Sequence, residues 1–342
     1  MEFALDLVSF IMKTLIIVAA IGVVVLIFIQ AGTRGRRARA GLDVDLLNDR
    51  YKDFRRNMQG ALLGKKEFKA ILKSEKKEDK AKDKNEDDDK RPRVFVMDFD
   101  GDIRASQVTN LREEITAVLT IAKPGDEAIV RLESGGGLVT SYGLAASQLA
   151  RLKTRGVRLT VCIDKVAASG GYMMACVADH IIAAPFAVLG SIGVIAQVPN
   201  FHKVLKKHDV DYKEVTAGEF KRTVTVFGEI TEPGMRKFKD QIEETHELFK
   251  AFVKYNRPAL DISRVATGEY WYGTQALALG LADQLSTSDD YLYTKAESAN
   301  LYQVQYQSKK KLAERLSESF SLGMHSLFTR IWGDLDRTRF GA

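Results

Sequence analysis

Two glycine-rich turns hold the residues of this chain that could do covalent chemistry. One reads Glu133-Ser134-Gly135-Gly136-Gly137 and the other Ala167-Ala168-Ser169-Gly170-Gly171, each directly after a short apolar run. A serine set among residues with almost no side chain can occupy a sharp strand-to-helix turn and keep its hydroxyl accessible. The free amides of the helix N-terminus point at the same place. The second turn is close to the Gly-x-Ser-x-Gly elbow, with Ala167 where the first Gly would stand. On that reading Ser169 is a nucleophile toward a carbonyl. The Gly170 amide is one oxyanion donor, and the Gly137 amide, from the neighbouring strand end, is the second. The competing reading is that Ser169 caps a helix, as serine often does.

A serine nucleophile needs a base. His180 is close in sequence but separated by the helix expected after Ser169, and His202 and His208 lie on another polar helix. A neutral lysine amine is the other option, as in Ser-Lys enzymes. With many lysines present, composition alone picks none; Lys221, in Ala217-Gly218-Glu219-Phe220-Lys221 before the Thr-Val-rich stretch 223–227, is the more interesting candidate. A solvated loop lysine is the alternative reading of the same position. Metal chemistry has little support, because the five His residues form no His-Glu-x-x-His helix and Cys162 and Cys176 have no partner at ligand spacing. Gly60-Ala-Leu-Leu-Gly64-Lys65-Lys66 imitates a phosphate-binding loop but is one residue short, lacks the Ser/Thr and follows no strand. No cofactor is expected.

These turns must be held by a fold, and the pattern from Val94 onward supplies one. Strands are expected at Val94–Phe99, Ala128–Leu132, Val157–Ile163, His180–Ala184 and Tyr212–Thr216. Helices are expected at Gln107–Leu119, Gly137–Lys153, Ser169–Ala178, Phe201–His208 and Glu232–Tyr255. Short, uniformly apolar strands alternating with helices predict an α/β fold with a mostly parallel sheet covered on both faces. Ile181–Val198 has no charge, but Pro185, Gly190, Ser191 and Gly193 interrupt it, so it reads as a pair of short buried strands rather than a membrane span.

The 342 residues, 45% of them apolar, suffice for one large domain or two ordinary ones. A tail (1–9) precedes an apolar run, 10–31, with no charge from Thr14 to Ile29, long enough to cross a bilayer as an uncleaved helical anchor. Arg34, Arg36, Arg37 and Arg39 follow it and predict a cytoplasmic domain by the positive-inside rule. Residues 32–72 read as a basic juxtamembrane segment, with one amphipathic helix over 42–72 carrying Leu47, Tyr51, Phe54, Met58 and Leu62. Residues 73–93 read as a charged linker, 94–305 as the globular domain and 306–342 as an amphipathic tail. The net charge of +6 does not point to nucleic acid, because the thirty bases and thirty acids of 94–342 cancel and the excess sits in 34–72.

Four motifs in order resemble the signal peptide peptidase A family. They are Ala167-Ala168-Ser169-Gly170-Gly171-Tyr172, Gly190-Ser191-Ile192-Gly193-Val194, Gly218-Glu219-Phe220-Lys221, and Gly268…Gly273-Thr-Gln275-Ala276…Gly280-Leu281-Ala282-Asp283. The anchor, the charged linker and the single unduplicated domain are similar to the SohB branch of that family in bacteria. The resemblance covers about 94–290 and the anchor. It implies a ClpP/crotonase-like fold, Ser169 as nucleophile, Lys221 as general base and polypeptide substrates such as signal-peptide remnants or membrane-proximal chains. It also implies a homo-oligomer whose dyad can be completed across a subunit boundary, at the bacterial inner membrane and on its periplasmic side, in conflict with the arginine cluster. One departure stands out: the family's first turn usually reads Ser-Pro-Gly-Gly, and Gly135 replaces the Pro. A more mobile loop makes the Gly137 role less firm than that of Gly170. Two rival functions remain, a crotonase-like acyl-thioester enzyme using the same paired amides and an inactive membrane scaffold.

Overall fold

The computed structural model describes Lys13, residues 41–82 and residues 91–308. Leu42–Tyr306 forms one compact unit; the other, Met1–Gly41 with Gln307–Ala342, lies almost wholly outside the described residues. The anchor expected over 10–31 (Lys13 apart), the arginines at 34–39 and the tail from 309 onward therefore fall outside them.

Ten strands form the sheet: β1 (Gly41–Leu46), β2 (Arg93–Gly101), β3 (Glu127–Ser134), β4 (Arg158–Ile163), β5 (Val166–Ala168), β6 (His180–Ala183), β7 (Val188–Gly190), β8 (Tyr270–Tyr272), β9 (Gln284–Leu285) and β10 (Asn300–Gln307). The helices are α1 (Leu47–Leu62), α2 (Lys65–Lys82), α3 (Val108–Ile121), α4 (Val139–Thr154), α5 (Gly170–Ala175), α6 (His202–Lys207), α7 (Glu232–Asn256), α8 (Ile262–Val265), α9 (Gly273–Ala278) and α10 (Ser288–Ser298). The main path runs β1-β10-β2-β3-β4-β6-β9, parallel from β10 to β9. This is the mixed α/β fold with a mostly parallel sheet that the alternation of elements predicts.

Period-two alternation puts both sheet faces to use. From β2, Phe95, Met97 and Phe99 enter one apolar cluster with Leu111 and Ile115 of α3, Leu149 of α4 and Val253 of α7. Val94 and Val96 enter a second cluster with Ile129, Cys162, Ile182, Leu301, Leu292 of α10 and Leu47 of α1. Helices therefore cover both faces, which is why the strands read as continuous apolar runs. On α4, Tyr142, Ala145, Ala146, Leu149 and Leu152 are the buried residues, a helical stripe with polar residues opposite. Truncating a fully buried leucine such as Leu149 to alanine would cost about 2–5 kcal/mol.

The sheet forks at β3. Its first five residues pair with β4, Glu127 opposite Arg158 through Arg131 opposite Cys162. Its last residue, Ser134, instead pairs with Ala167 of β5. A side branch β3-β5-β7-β8 leaves the main sheet there, parallel except for the antiparallel β7–β8 pair. The fork sets the two glycine turns side by side at the C-terminal ends of their strands.

Three expectations differ from the structure. Residues 42–72 are a strand followed by two helices, broken at Leu63-Gly64, and of the apolar stripe on α1 only Leu47 is buried. The charged stretch from Lys73 is helical as far as Lys82, and 83–90 lie outside the described residues. Tyr212–Thr216 forms no strand: among the described residues it has no neighbouring strand to pair with, and Val215 is 97% exposed.

Candidate active site

Ser169 stands at the end of β5, directly before α5, with φ +51° and ψ −117°. A non-glycine residue held there stores about 1–3 kcal/mol of backbone strain and persists only where its surroundings fix it. The Ser169 amide donates to the Gly190 carbonyl at 2.8 Å, and the Ser169 carbonyl accepts from Met173 at 2.9 Å. The side chain makes no capping hydrogen bond to α5. The capping role that competes in the sequence is thus not used, and the hydroxyl is left at the mouth of a cleft.

That cleft is lined by Gly137, Val139, Ser169, Gly170, Met173, Gly193, Val194, Thr245 and Phe249. Gly136 has φ +88°, and a Cβ there would lie 2.7 Å from the Gly170 nitrogen and 2.8 Å from the Ser169 Cβ. The first glycine turn is thus pressed onto the nucleophile turn with no room for a side chain. Gly137 and Gly170 reach the same cleft as the serine, as an oxyanion pocket requires. The Gly137 amide donates to no acceptor among the described residues.

The far wall comes from α7 and the turn after β7. Thr231 caps α7 by accepting from the Gly234 amide at 3.2 Å, and Pro233 occupies its first turn. From that start, Thr245 and Phe249 fall one helical turn apart on the cleft side. His246 Nε2 lies 3.2 Å from the Ile192 carbonyl and ties α7 to the Gly190–Gly193 turn. Val139, Met173, Thr245 and Phe249 are site residues that the sequence did not disclose. Their signal is faint: Val139 follows the first glycine turn by two residues and Met173 lies one turn beyond Ser169.

Lys221 lies elsewhere. It is exposed on the segment between α6 and α7, where its amide donates to the Gly218 carbonyl at 3.2 Å. It lines no part of the cleft, and no hydrogen bond joins it to Ser169. His180 pairs with Gln284 at 3.1 Å and lies 3.9 Å from Asp283 at the β6–β9 side, while His208 is exposed. Both cysteines are buried and free. Burial, with Asp164 and Glu127 adding to it, pushes the Cys162 thiol up; burial pushes Cys176 up to about 12, so neither offers a thiolate.

Comparison with known proteins assigns a family. Residues 151–302 match Peptidase family S49, and residues 2–149 match Peptidase family S49 N-terminal. A probable protease SohB of Haemophilus influenzae is 51% identical over 316 residues, covering 90% of each chain. The chain belongs to peptidase family S49. Within that family it is of the SohB type. A probable protease SohB of Buchnera aphidicola from Acyrthosiphon pisum is 52% identical over 242 residues, covering 71% of this chain and 72% of that one. A solved membrane-bound stomatin-specific protease, 1510-N, in complex with a substrate peptide, aligns at 12% identity and a TM-score of 0.41, over 67% of this chain and 98% of that one.

The last motif of the resemblance has a visible structural task. Burial works against ionisation of Asp283, but the Arg257 guanidinium and the Ile181 amide outweigh it and hold the carboxyl below its ordinary value. Arg257 reaches both carboxylate oxygens, at 2.6 and 2.8 Å, and so fixes the end of α7 against β6.

Proposed function

We propose that this S49 chain is a membrane-anchored serine endopeptidase with a ClpP/crotonase-like domain, working through a Ser169–Lys221 dyad. Ser169 Oγ attacks the peptide carbonyl while its proton passes to the neutral Lys221 amine. The oxyanion is met by the Gly170 and Gly137 amides. Collapse breaks the C–N bond, and the departing amine takes the proton back from Lys221. Water then attacks the acyl-enzyme, giving one proton to Lys221, which returns it to Ser169 Oγ. The observation that carries this reading is the strained Ser169 itself, its hydroxyl unused by the helix it precedes and sharing a cleft with Gly137 and Gly170.

The position of Lys221 supports delivery of the base from a second copy of the chain. No residue from Gly193 to Pro233 is buried, and Ile195, Phe201, Val215, Phe220 and Phe227 expose apolar surface along that segment. A homo-oligomer that covers this segment would bring Lys221 onto a neighbour's Ser169. The apolar cleft walls, Val139, Met173, Val194 and Phe249, suit an apolar substrate side chain. Signal-peptide remnants and membrane-proximal polypeptides at the bacterial inner membrane fit that chemistry, with residues 10–31 holding the enzyme in the lipid bilayer.

A fluorophosphonate probe tests the reading. The assembled wild type should label covalently, and Ser169→Ala should abolish labelling. An acyl-thioester enzyme or an inert scaffold of the same fold would not label, and an unlabelled, assembled wild type refutes the serine peptidase.

A further inference from the structure

A buried chain of hydrogen bonds runs beneath the cleft floor, and nothing in the Ser-Lys chemistry uses it directly. Tyr142 of α4 is fully buried, and its hydroxyl donates to the Asp102 carbonyl at 2.7 Å. With that proton directed at Asp102, the serine is the donor across the 2.6 Å contact between Tyr142 Oη and Ser134 Oγ. Ser134 Oγ in turn accepts from the Gly136 amide at 3.1 Å. With Tyr142 donating to Asp102, the chain runs Gly136 N–H to Ser134 Oγ–H to Tyr142 Oη–H to the Asp102 carbonyl; Ser134 Oγ also lies 3.4 Å from the Gly101 carbonyl, a second acceptor for its proton. Burial pushes the Tyr142 phenol up, so the group stays a donor across the working pH range.

Both ends of the oxyanion pocket touch this chain. Gly136 is the residue before Gly137, so turning its N–H inward onto Ser134 commits one amide of the turn to the core and leaves the next for the cleft. The Tyr142 ring packs under the other amide: a Cβ on Gly170 would lie 2.5 Å from the ring's Cγ. The Leu138 amide, donating to the Ile103 carbonyl at 2.9 Å, fastens the far side of the same turn. One side chain thus reaches the glycine turn with its hydroxyl and the nucleophile turn with its ring.

We propose that Tyr142 and Ser134 are positioning residues for the oxyanion pocket, holding the Gly137 and Gly170 amides in register with each other. They supply through side-chain hydrogen bonds the stiffness that Gly135 does not give the turn. The proposal rests on the peptidase reading above, since only a reaction that develops an oxyanion here would need such registration.

Tyr142→Phe keeps the ring under Gly170 and removes only the hydroxyl; Ser134→Ala breaks the chain at its middle with a smaller change. Losing a well-placed oxyanion donor costs about 100-fold or more in kcat, so loosening one should cost about 10-fold. We expect each variant, assayed well below its melting temperature with a fluorogenic peptide, to lose about 10-fold in kcat with KM nearly unchanged. Fluorophosphonate labelling should slow by a similar factor, and the double variant should lose little more than either single one, because the two residues form one chain. A lowered melting temperature with wild-type kcat and labelling rate, in both variants, would reduce the chain to a core contact and overturn the proposal. A wild type that does not label would overturn the peptidase reading and this one with it, so the two failures are told apart by the wild type alone.

Discussion

At pH 8.5 the Glu114→Gln variant is expected to melt well above the wild type, and at pH 4 the two should nearly coincide. Glu114 of α3 is 5% exposed; one carboxylate oxygen accepts from the Tyr306 amide of β10 at 2.8 Å, and the other is buried with no partner among the described residues. Burial pushes its carboxyl from 4.5 up to about 7, the Tyr306 amide pulls the other way, and the Asp98 charge adds to burial. Arg131 and Gln303 hold the Asp98 carboxylate where it faces Glu114. Between pH 4.5 and about 7 the native chain keeps a proton that the unfolded chain has released. Stability therefore falls as pH rises through that window, and the penalty is complete above it. At about 1.36 kcal/mol per pH unit the whole effect is about 3 kcal/mol, an upper figure for one group. Glutamine keeps the acceptor for Tyr306 and has no charge to bury, so the variant escapes the penalty at high pH. For a chain of this size that is a gain of roughly 4–6 °C in melting temperature. Scanning calorimetry of both proteins from pH 4 to 8.5 reads the difference. Parallel profiles, with a constant gap across the window, would refute the reasoning.

The first glycine turn should show a sharp local contrast. Gly136→Ala forces a methyl to within 2.8 Å of the Ser169 Cβ at φ +88°, and should cut fluorophosphonate labelling about 100-fold, whereas Gly135→Ala meets nothing within 4 Å and should label like the wild type. Copies carrying Ser169→Ala and copies carrying Lys221→Met should each be inactive alone, yet regain turnover when assembled together, in about one site in four if pairing is random. No recovery, with mixed oligomers present by native mass measurement, would mean the dyad forms within one chain or not at all.

The frame of this fold was readable in the sequence because β2, β3, β4 and β6 are buried on both faces and appear as unbroken apolar runs. The fork was not. β5 and β8 are three residues long, too short for any periodicity, and only pairing with β3 and β7 makes them strands. The spacing of Leu47, Tyr51, Phe54, Met58 and Leu62 reads as one apolar face, yet Phe54, Met58 and Leu62 are exposed; periodicity reports that residues share a side, not that anything covers it. Ser169 was legible because small neighbours are a local feature. Tyr142 and Ser134 were not, since their meeting depends on how α4 folds back over the glycine turn that follows β3. Lys221 was a candidate by its place in the sequence but took its role as base from the resemblance, and within one chain its surroundings are those of a solvated loop lysine.

The strand order also sets a timetable for the nascent chain. β10 fills the slot between β1 and β2, with Asn300 opposite Arg93, about 200 residues earlier in the chain. At ribosomal speed β2 therefore waits about 10–40 s for its last neighbour. The fork that builds the nucleophile turn needs only residues up to Gly190, so it can condense while β2 still presents a bare edge. A chain halted before Asn300 would carry a nearly finished cleft on an unfinished sheet, and its open edge would make it a client for chaperones before it could become an enzyme.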